Sequence, residues 1–325
     1  MAVGPEELSQ ARDAGTPARQ LARLAAEVRT ASTRRGDGMS ALEKAVLAAV
    51  AGNPNTAPAL LFELASGFPG EVVRNPAVFL LLLEDPALLE KIPDHALRAI
   101  LAHPEAPVAW LGLAVERPEA WIRWLVAASP RTPPDVLARL AGNADATTRI
   151  AVAANPRTPV ALLARFARTE DDAGPTLFAL RRAVAGNPSA PLPTLEHLAS
   201  DPTLLPFAAA NPSLPEYLLE ALSLHDDPLV RAALAKQPRL APRLLRRLAA
   251  DPVPEVRRSL ARHATDPVDL HRLTAQDSTV LRALADNPSA PAPLLDRLCR
   301  APLAKTRRAA ERALAARAAA TPKAP

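Results

Sequence analysis

Cysteine is almost missing from this 325-residue chain, which has only Cys299. A single thiol excludes a disulfide framework and any iron–sulfur or metal site built on several cysteines. Aromatics are scarce as well: six Phe, three Trp and one Tyr leave little to fill a thick globular centre. No stretch approaches the ~18 consecutive apolar residues that a membrane helix requires. The longest run of large apolar side chains is Val78 to Leu83. Met1 to Glu7 shows no basic segment leading into an apolar one, so the expectation is no signal peptide and a cytoplasmic setting. Glycine is absent from the 139 residues after Gly186, and period-two alternation is absent too, which removes β-hairpin chemistry from that half.

Proline, by contrast, is abundant, with 36 residues in a chain that is 49% hydrophobic and dominated by Ala, Leu and Val. A proline inside a helix costs ~3 kcal/mol, so this many must mark boundaries. They recur behind a polar head residue. The heads are Asn53, Asn75, His103, Ser129, Asn155, Asn187, Asn211, Gln237, His263 and Asn287, with steps of 22 to 32 residues and a mean of 26. His263, followed by Ala264, is the weakest of them. A period in this range is the signature of a stacked repeat array, and it replaces the two globular domains that length alone would suggest.

The unit from Asn211 to Lys236 shows the logic. Asn211 before Pro212 is pushed out of the helical region and ends the previous helix. Pro215 then suits a first helical turn, and Thr132-Pro133 and Thr158-Pro159 read as a cap followed by a first-turn proline. Leu218, Leu219 and Leu222 form a wedge on one helical face, repeated as Leu60, Leu61, Leu64, as Leu244, Leu245, Leu248 and as Leu294, Leu295, Leu298. Asp227-Pro228 opens a shorter helix over 229–236, with Val230, Ala233 and Leu234 inward. Each unit is two short helices that cannot bury their faces alone, so neighbours must stack. The expected fold is all-α, a right-handed superhelical α-solenoid of about nine to ten two-helix repeats.

The composite unit, N-P-x-x-P-x-x-L-L-x-x-L-A-x-D-P-x-x-x-V-R-x-A-L-A-x-N-P, resembles the leucine-rich repeat variant family of bacterial proteins over roughly residues 50–315. HEAT repeats, which share a Val-Arg in the second helix, are the nearest neighbour. The resemblance implies a curved stack of short helices and no settled activity. An iron–sulfur module carried by some members does not transfer to a chain with one cysteine. Residues 1–39 are expected to be a partly disordered extension with a short amphipathic helix near Pro17 to Val28, and Met39 is a second candidate start. The array is expected over 40–317 and a disordered tail over 318–325.

Charge is uneven. Residues 1–228 hold 20 Lys and Arg against 26 Asp and Glu, whereas residues 229–325 hold 19 against 8. Arg243, Arg246 and Arg247 share a helical face, Arg258 and Arg262 are four apart, and Arg307, Arg308 and Arg312 repeat the arrangement. Stacked in register, these eight would form a basic stripe able to attract phosphate or acidic protein, and a merely solvated face is the alternative. Arg74, Arg149, Arg231, Arg257 and Arg282 read instead as one repeated slot serving the stack.

Nucleotide-binding glycine loops, hydrolase elbows and paired metal-binding histidines are missing, so catalytic, cofactor and metal residues are all expected to be none. His95, His103, His197, His225, His263 and His271 read as turn or surface residues, and Cys299 as a small buried hydrophobe. The clustered Trp110, Trp121 and Trp124, near Glu116 and Glu119, leave open a base-excising enzyme of the helical-repeat glycosylase kind. The leading expectation is a non-catalytic scaffold that binds a protein partner. Duplex nucleic acid comes second and the enzyme third; no membrane or small-molecule partner is expected. If the stripe reads duplex phosphates, anisotropy titrations of labelled DNA will weaken with salt at a log–log slope of about −0.9 per phosphate contacted. Flat curves at low salt exclude that partner.

Overall fold

The computed structural model describes residues 4–35, 38–85, 88–142, 145–170, 174–265 and 278–320, and every regular element among them is helical. The chain divides into two units, Met1–Pro159 and Val160–Pro325. Within each, helices alternate between a first and a second position in the repeat.

In the Met1–Pro159 unit the second-position helices are Pro5–Arg12, Ala41–Gly52, Pro69–Arg74, Asp94–Ala102, Ala120–Ala128 and Ala146–Ala154, each packed on the one before. In the Val160–Pro325 unit they are Gly174–Gly186, Leu205–Ala209, Pro228–Leu234, Pro254–His263, Ser278–Ala285 and Ala304–Ala320, again packed in series. First-position helices such as Glu216–Leu222, Pro242–Ala249 and Ala292–Leu298 pack mainly on the second helix of their own layer. The leucine wedge explains why. Leu294, Leu295 and Leu298 are buried, as are Leu244 and Leu248, each burial contributing about 1.5–3 kcal/mol. The second helices bring small inward residues, Val230, Ala233 and Leu234 in one layer and Val256, Leu260 and Ala261 in the next, which allow close approach.

The head asparagines bind one layer to the last. Asn211 Nδ2 donates to the carbonyls of Ala185 and Asn187 at 2.6 and 2.8 Å, while its Oδ1 accepts the Ser213 N–H at 2.9 Å. Asn75 reaches Ala51 and Asn53, Asn155 reaches Ala127 and Ser129, and Asn287 reaches Ala261 and Ala264, all at 2.7–2.9 Å. The accepting carbonyls belong to the last turn of the preceding second helix or just beyond it, where no intrahelical donor exists. One buried side chain therefore closes its own turn and caps its neighbour. Gln237 reaches the equivalent carbonyls, Ala209 at 3.0 Å and Asn211 at 2.6 Å. At His103 the ring Nδ1 takes over the acceptor half, receiving the Glu105 N–H at 3.1 Å.

This bonding corrects several expectations. Thr132 and Thr158 do not cap the helices that follow them. Each hydroxyl donates backwards, to the carbonyls of Val126 and Val152, and Pro133 takes the cap position of Pro134–Ala141. Pro215 is likewise the cap of Glu216–Leu222 rather than a residue inside it. The stretch 1–39 holds the helices Pro5–Arg12 and Ala18–Arg35, the second covering the amphipathic segment expected near Pro17 to Val28, with Leu21, Leu24 and Val28 buried. Asn53 donates to Ala11 and Asp13 at 2.9 and 2.8 Å, and Thr16 donates to Gln10 as Thr56 does to Val50. Asp13 is thus a further head, masked in the sequence by the lack of a following proline. At the other end, the helix Ala304–Ala320 runs past the expected boundary at 317.

Asn211→Ala strands two buried carbonyls and is expected to cost about 2–4 kcal/mol. Gln237→Asn restores the acceptor half of the bridge and is expected to gain about 1 kcal/mol. Urea midpoints of the two variants against wild type give both values.

Candidate binding surface

Counting back from each head sorts the arginines by what they can reach. Arg231 and Arg257 stand six residues before Gln237 and His263. Arg231 Nη1 donates to the carbonyls of His225 and Asp226 at 2.7 and 2.9 Å, and Arg257 Nη1 to those of Asp251 and Pro252 at 2.6 and 3.2 Å. Arg307 does the same to Ala301 and Pro302 at 2.9 and 2.8 Å. These carbonyls lie in the turn after each first helix, so the guanidinium clamps the turn. Arg307, expected on the basic stripe, belongs to this clamp instead. Arg282 and Arg74 leave the slot in the other direction: they stand five and one residues before their heads, and each faces a carboxylate, Asp286 at 3.9 Å and Glu105 at 2.7 Å.

Arg231 makes one further contact. Its Nε and Nη2 grip Asp251 of the next layer at 2.7 and 3.0 Å, with the Asp251 side chain only 5% exposed. Burial alone works against ionising Asp251. The Arg231 bonds, the Val253 N–H and the nearby Arg257 overcome it and hold the carboxyl below the usual carboxylate range. The same pairing raises Arg231.

The remaining stripe candidates separate onto two helix rows. Arg243, Arg246 and Arg247 lie on the first-position helix Pro242–Ala249. Arg243 is paired with Glu216 at 3.1 Å and with Glu220, and Arg247 donates to the Ser223 hydroxyl at 2.7 Å. Arg246 Nε only leans on the Pro242 carbonyl, at 3.4 Å. Arg258, Arg262, Arg308 and Arg312 lie on second-position helices. Arg262, Arg308 and Arg312 are exposed; Arg258 is half-buried, 3.2 Å from Glu255, and its Nε is shielded from solvent with no hydrogen-bond partner. The eight expected residues are thus spread over both helix rows.

A groove of about 520 Å³ runs across three successive second-position helices. Its walls include Arg258 and Arg262 from Pro254–His263, Arg282 from Ser278–Ala285 with Asp286 just after it, and Leu303 and Lys305 on either side of the first residue of Ala304–Ala320. Lys305 is not singled out by the sequence, and Arg282 is read there as a slot residue serving the stack rather than as part of a surface. The signal was available for Arg282, which stands five residues before its head just as Arg258 does before His263. His263 adds no charge at neutral pH, because burial and then the nearby Lys236 and Arg262 push its pKa down.

In the Met1–Pro159 unit, Glu116 and Glu119 line a cleft of about 520 Å³ with Leu89, Glu90, Leu113 and Arg117. Arg117 spans Glu119, Asp94 and the Leu89 carbonyl, and its bond to Glu119 holds that carboxyl low. Glu116 is paired with Arg139. The tryptophans do not gather here. Trp110 is fully buried, Trp121 lies under the Arg98 guanidinium at 4.4 Å, and Trp124 is 46% exposed. None of the three is among the residues that line this cleft.

His225 Nδ1 accepts the Asp227 N–H at 3.1 Å, a turn role like that of His103. His271 lies outside the described residues. Burial, then Glu311 and Asp296, raise the Cys299 thiol and keep it protonated. Among the described residues no three His, Cys, Asp or Glu side chains are placed to hold a metal ion, and no helix is long and apolar enough to cross a membrane.

Residues 179–238 match the family model described as the Leucine Rich Repeat Variant domain, a span that contains the heads Asn187, Asn211 and Gln237. A solved structure described as a leucine-rich repeat variant with a novel repetitive protein structural motif is 26% identical, with 67% of this chain and 83% of that one covered and a TM-score of 0.34. No curated protein matches the chain.

Asp251→Ala leaves Arg231 mostly buried without its carboxylate and is expected to cost about 3–5 kcal/mol in thermal or urea unfolding. Because the folded-state pKa of Asp251 is lowered, its contribution is full above the ordinary carboxylate value of ~3.9 and is lost as pH falls from there towards the folded value. Wild type should lose stability over that interval, and Asp251→Asn should lose less.

Proposed function

We propose that this chain, with a leucine-rich repeat variant domain at residues 179–238, works as a non-catalytic repeat scaffold that binds a protein partner. The binding surface is the second-helix row of the Val160–Pro325 unit. The observation that carries this reading is the division of labour among the arginines. Arg231, Arg257 and Arg307 are spent on turn carbonyls and Arg243 on glutamates of the preceding layer, whereas Arg258, Arg262, Arg282 and Lys305 line one open groove, where Arg258 and Arg282 meet only carboxylates close in sequence, Glu255 and Asp286. Cations gathered on a rigid helical row, where the turns are already closed by other side chains, are placed for recognition rather than for holding the stack. A cytoplasmic setting goes with this reading and is supported by the lone Cys299.

The test is affinity capture from nuclease-treated lysate with two charge-reversed variants. Arg258→Glu combined with Arg282→Glu and Lys305→Glu is expected to lower partner recovery at least ~10-fold, about 1.4 kcal/mol. The control, Arg243→Glu with Arg246→Glu and Arg247→Glu, is expected to leave recovery unchanged. The opposite pattern would move the surface to the first helices. Recovery that disappears on nuclease treatment would assign the surface to nucleic acid.

A further inference from the structure

The groove also has a spacing, and the spacing points to one kind of occupant. Arg258 and Arg282 hold the same register on successive second-position helices, so these two cations are separated by one helix packing distance, about 8–10 Å, and Lys305 joins them from the start of the third helix. An extended peptide advances about 3.3 Å per residue. Three residues of such a peptide therefore span one helix step. Resting on the scaffold reading above, we propose that the groove binds an extended acidic peptide segment whose carboxylates recur at every third residue.

Three features of the groove favour peptide over nucleic acid. Asp286 sits in the wall beside the cations, paired only loosely with Arg282 at 3.9 Å. A nucleic-acid strand carries a charge every ~3.4 Å along its axis and would run its phosphates past that carboxylate, whereas a peptide can set a neutral residue there. Leu303, 48% exposed, offers an apolar contact on the same wall. No aromatic side chain follows Tyr217, so the groove has no platform on which bases could stack. On the same helix as Lys305, Arg308 occupies the register of Arg258 and Arg282 and continues that row.

The experiment uses the full-length protein and fluorescence anisotropy. One labelled peptide of about ten residues carries Glu at every third position on a Ser and Gly background. The second has the same composition with its glutamates consecutive. The spaced peptide is expected to bind at least ~10-fold tighter, and Arg282→Ala, which removes the exposed middle cation, is expected to erase most of that preference. Equal binding of the two peptides, both lost in the Arg258→Glu, Arg282→Glu, Lys305→Glu variant, would overturn the spacing and leave the scaffold reading standing. If neither peptide binds while protein capture still depends on those three residues, the acidic occupant is wrong and the surface is right. If capture fails as well, both readings fall. A labelled single-stranded or duplex oligonucleotide binding tighter than the spaced peptide would overturn the proposal in favour of nucleic acid.

Discussion

The structure depends on buried amides at the repeat heads. A layer of two short helices leaves unsatisfied carbonyls where its second helix ends, and water is excluded there because the next layer covers them. Asn75, Asn155, Asn211 and Asn287 resolve this with a geometry few side chains allow. The short amide turns its oxygen to its own backbone and its two N–H groups to the layer behind. Apolar burial supplies most of the driving force for stacking, but it is not directional. The amide bridge sets which carbonyls face which turn, and so fixes the register in which leucine wedges meet.

Arginine completes the same task at the other turn of three layers. The Nη1 groups of Arg231, Arg257 and Arg307 fill the acceptors that the heads do not reach. Where a carboxylate is within range, as Asp251 is for Arg231, the clamp becomes a partly buried ion pair between layers. Basic residues in this chain therefore have two fates that composition cannot separate. Those six residues before a head are consumed by the backbone, and those five before it, Arg258 and Arg282, reach the open groove.

Much of this was legible in the sequence, and the failures have physical causes. The helical array followed from proline periodicity, because an X-Pro boundary is a local steric fact. Asp13 escaped because its unit has no proline after the head, although Thr16-Pro17 repeats the Thr132-Pro133 and Thr158-Pro159 pairing. The backward bonds of Thr132 and Thr158 were hidden because a threonine before proline is equally suited to capping the next helix. The groove was half-read. Helical spacing grouped arginines within one helix, but the groove gathers them across three helices, and that requires counting from the heads rather than along the chain. Arg243 looked free because Glu216 and Glu220 that neutralise it lie in the preceding layer.

The amide bridges have one more consequence. What Asn211 recognises in its neighbour is the peptide carbonyl of Ala185 and of Asn187, a group that every amino acid carries. A layer thus asks nothing of its neighbour's side chains at this joint. Copies of a layer can be inserted or removed without a matching change next door, and side chains outside the wedge and the head can diverge without loosening the joint. Arrays of this kind can grow by duplication, and each added layer arrives already able to dock.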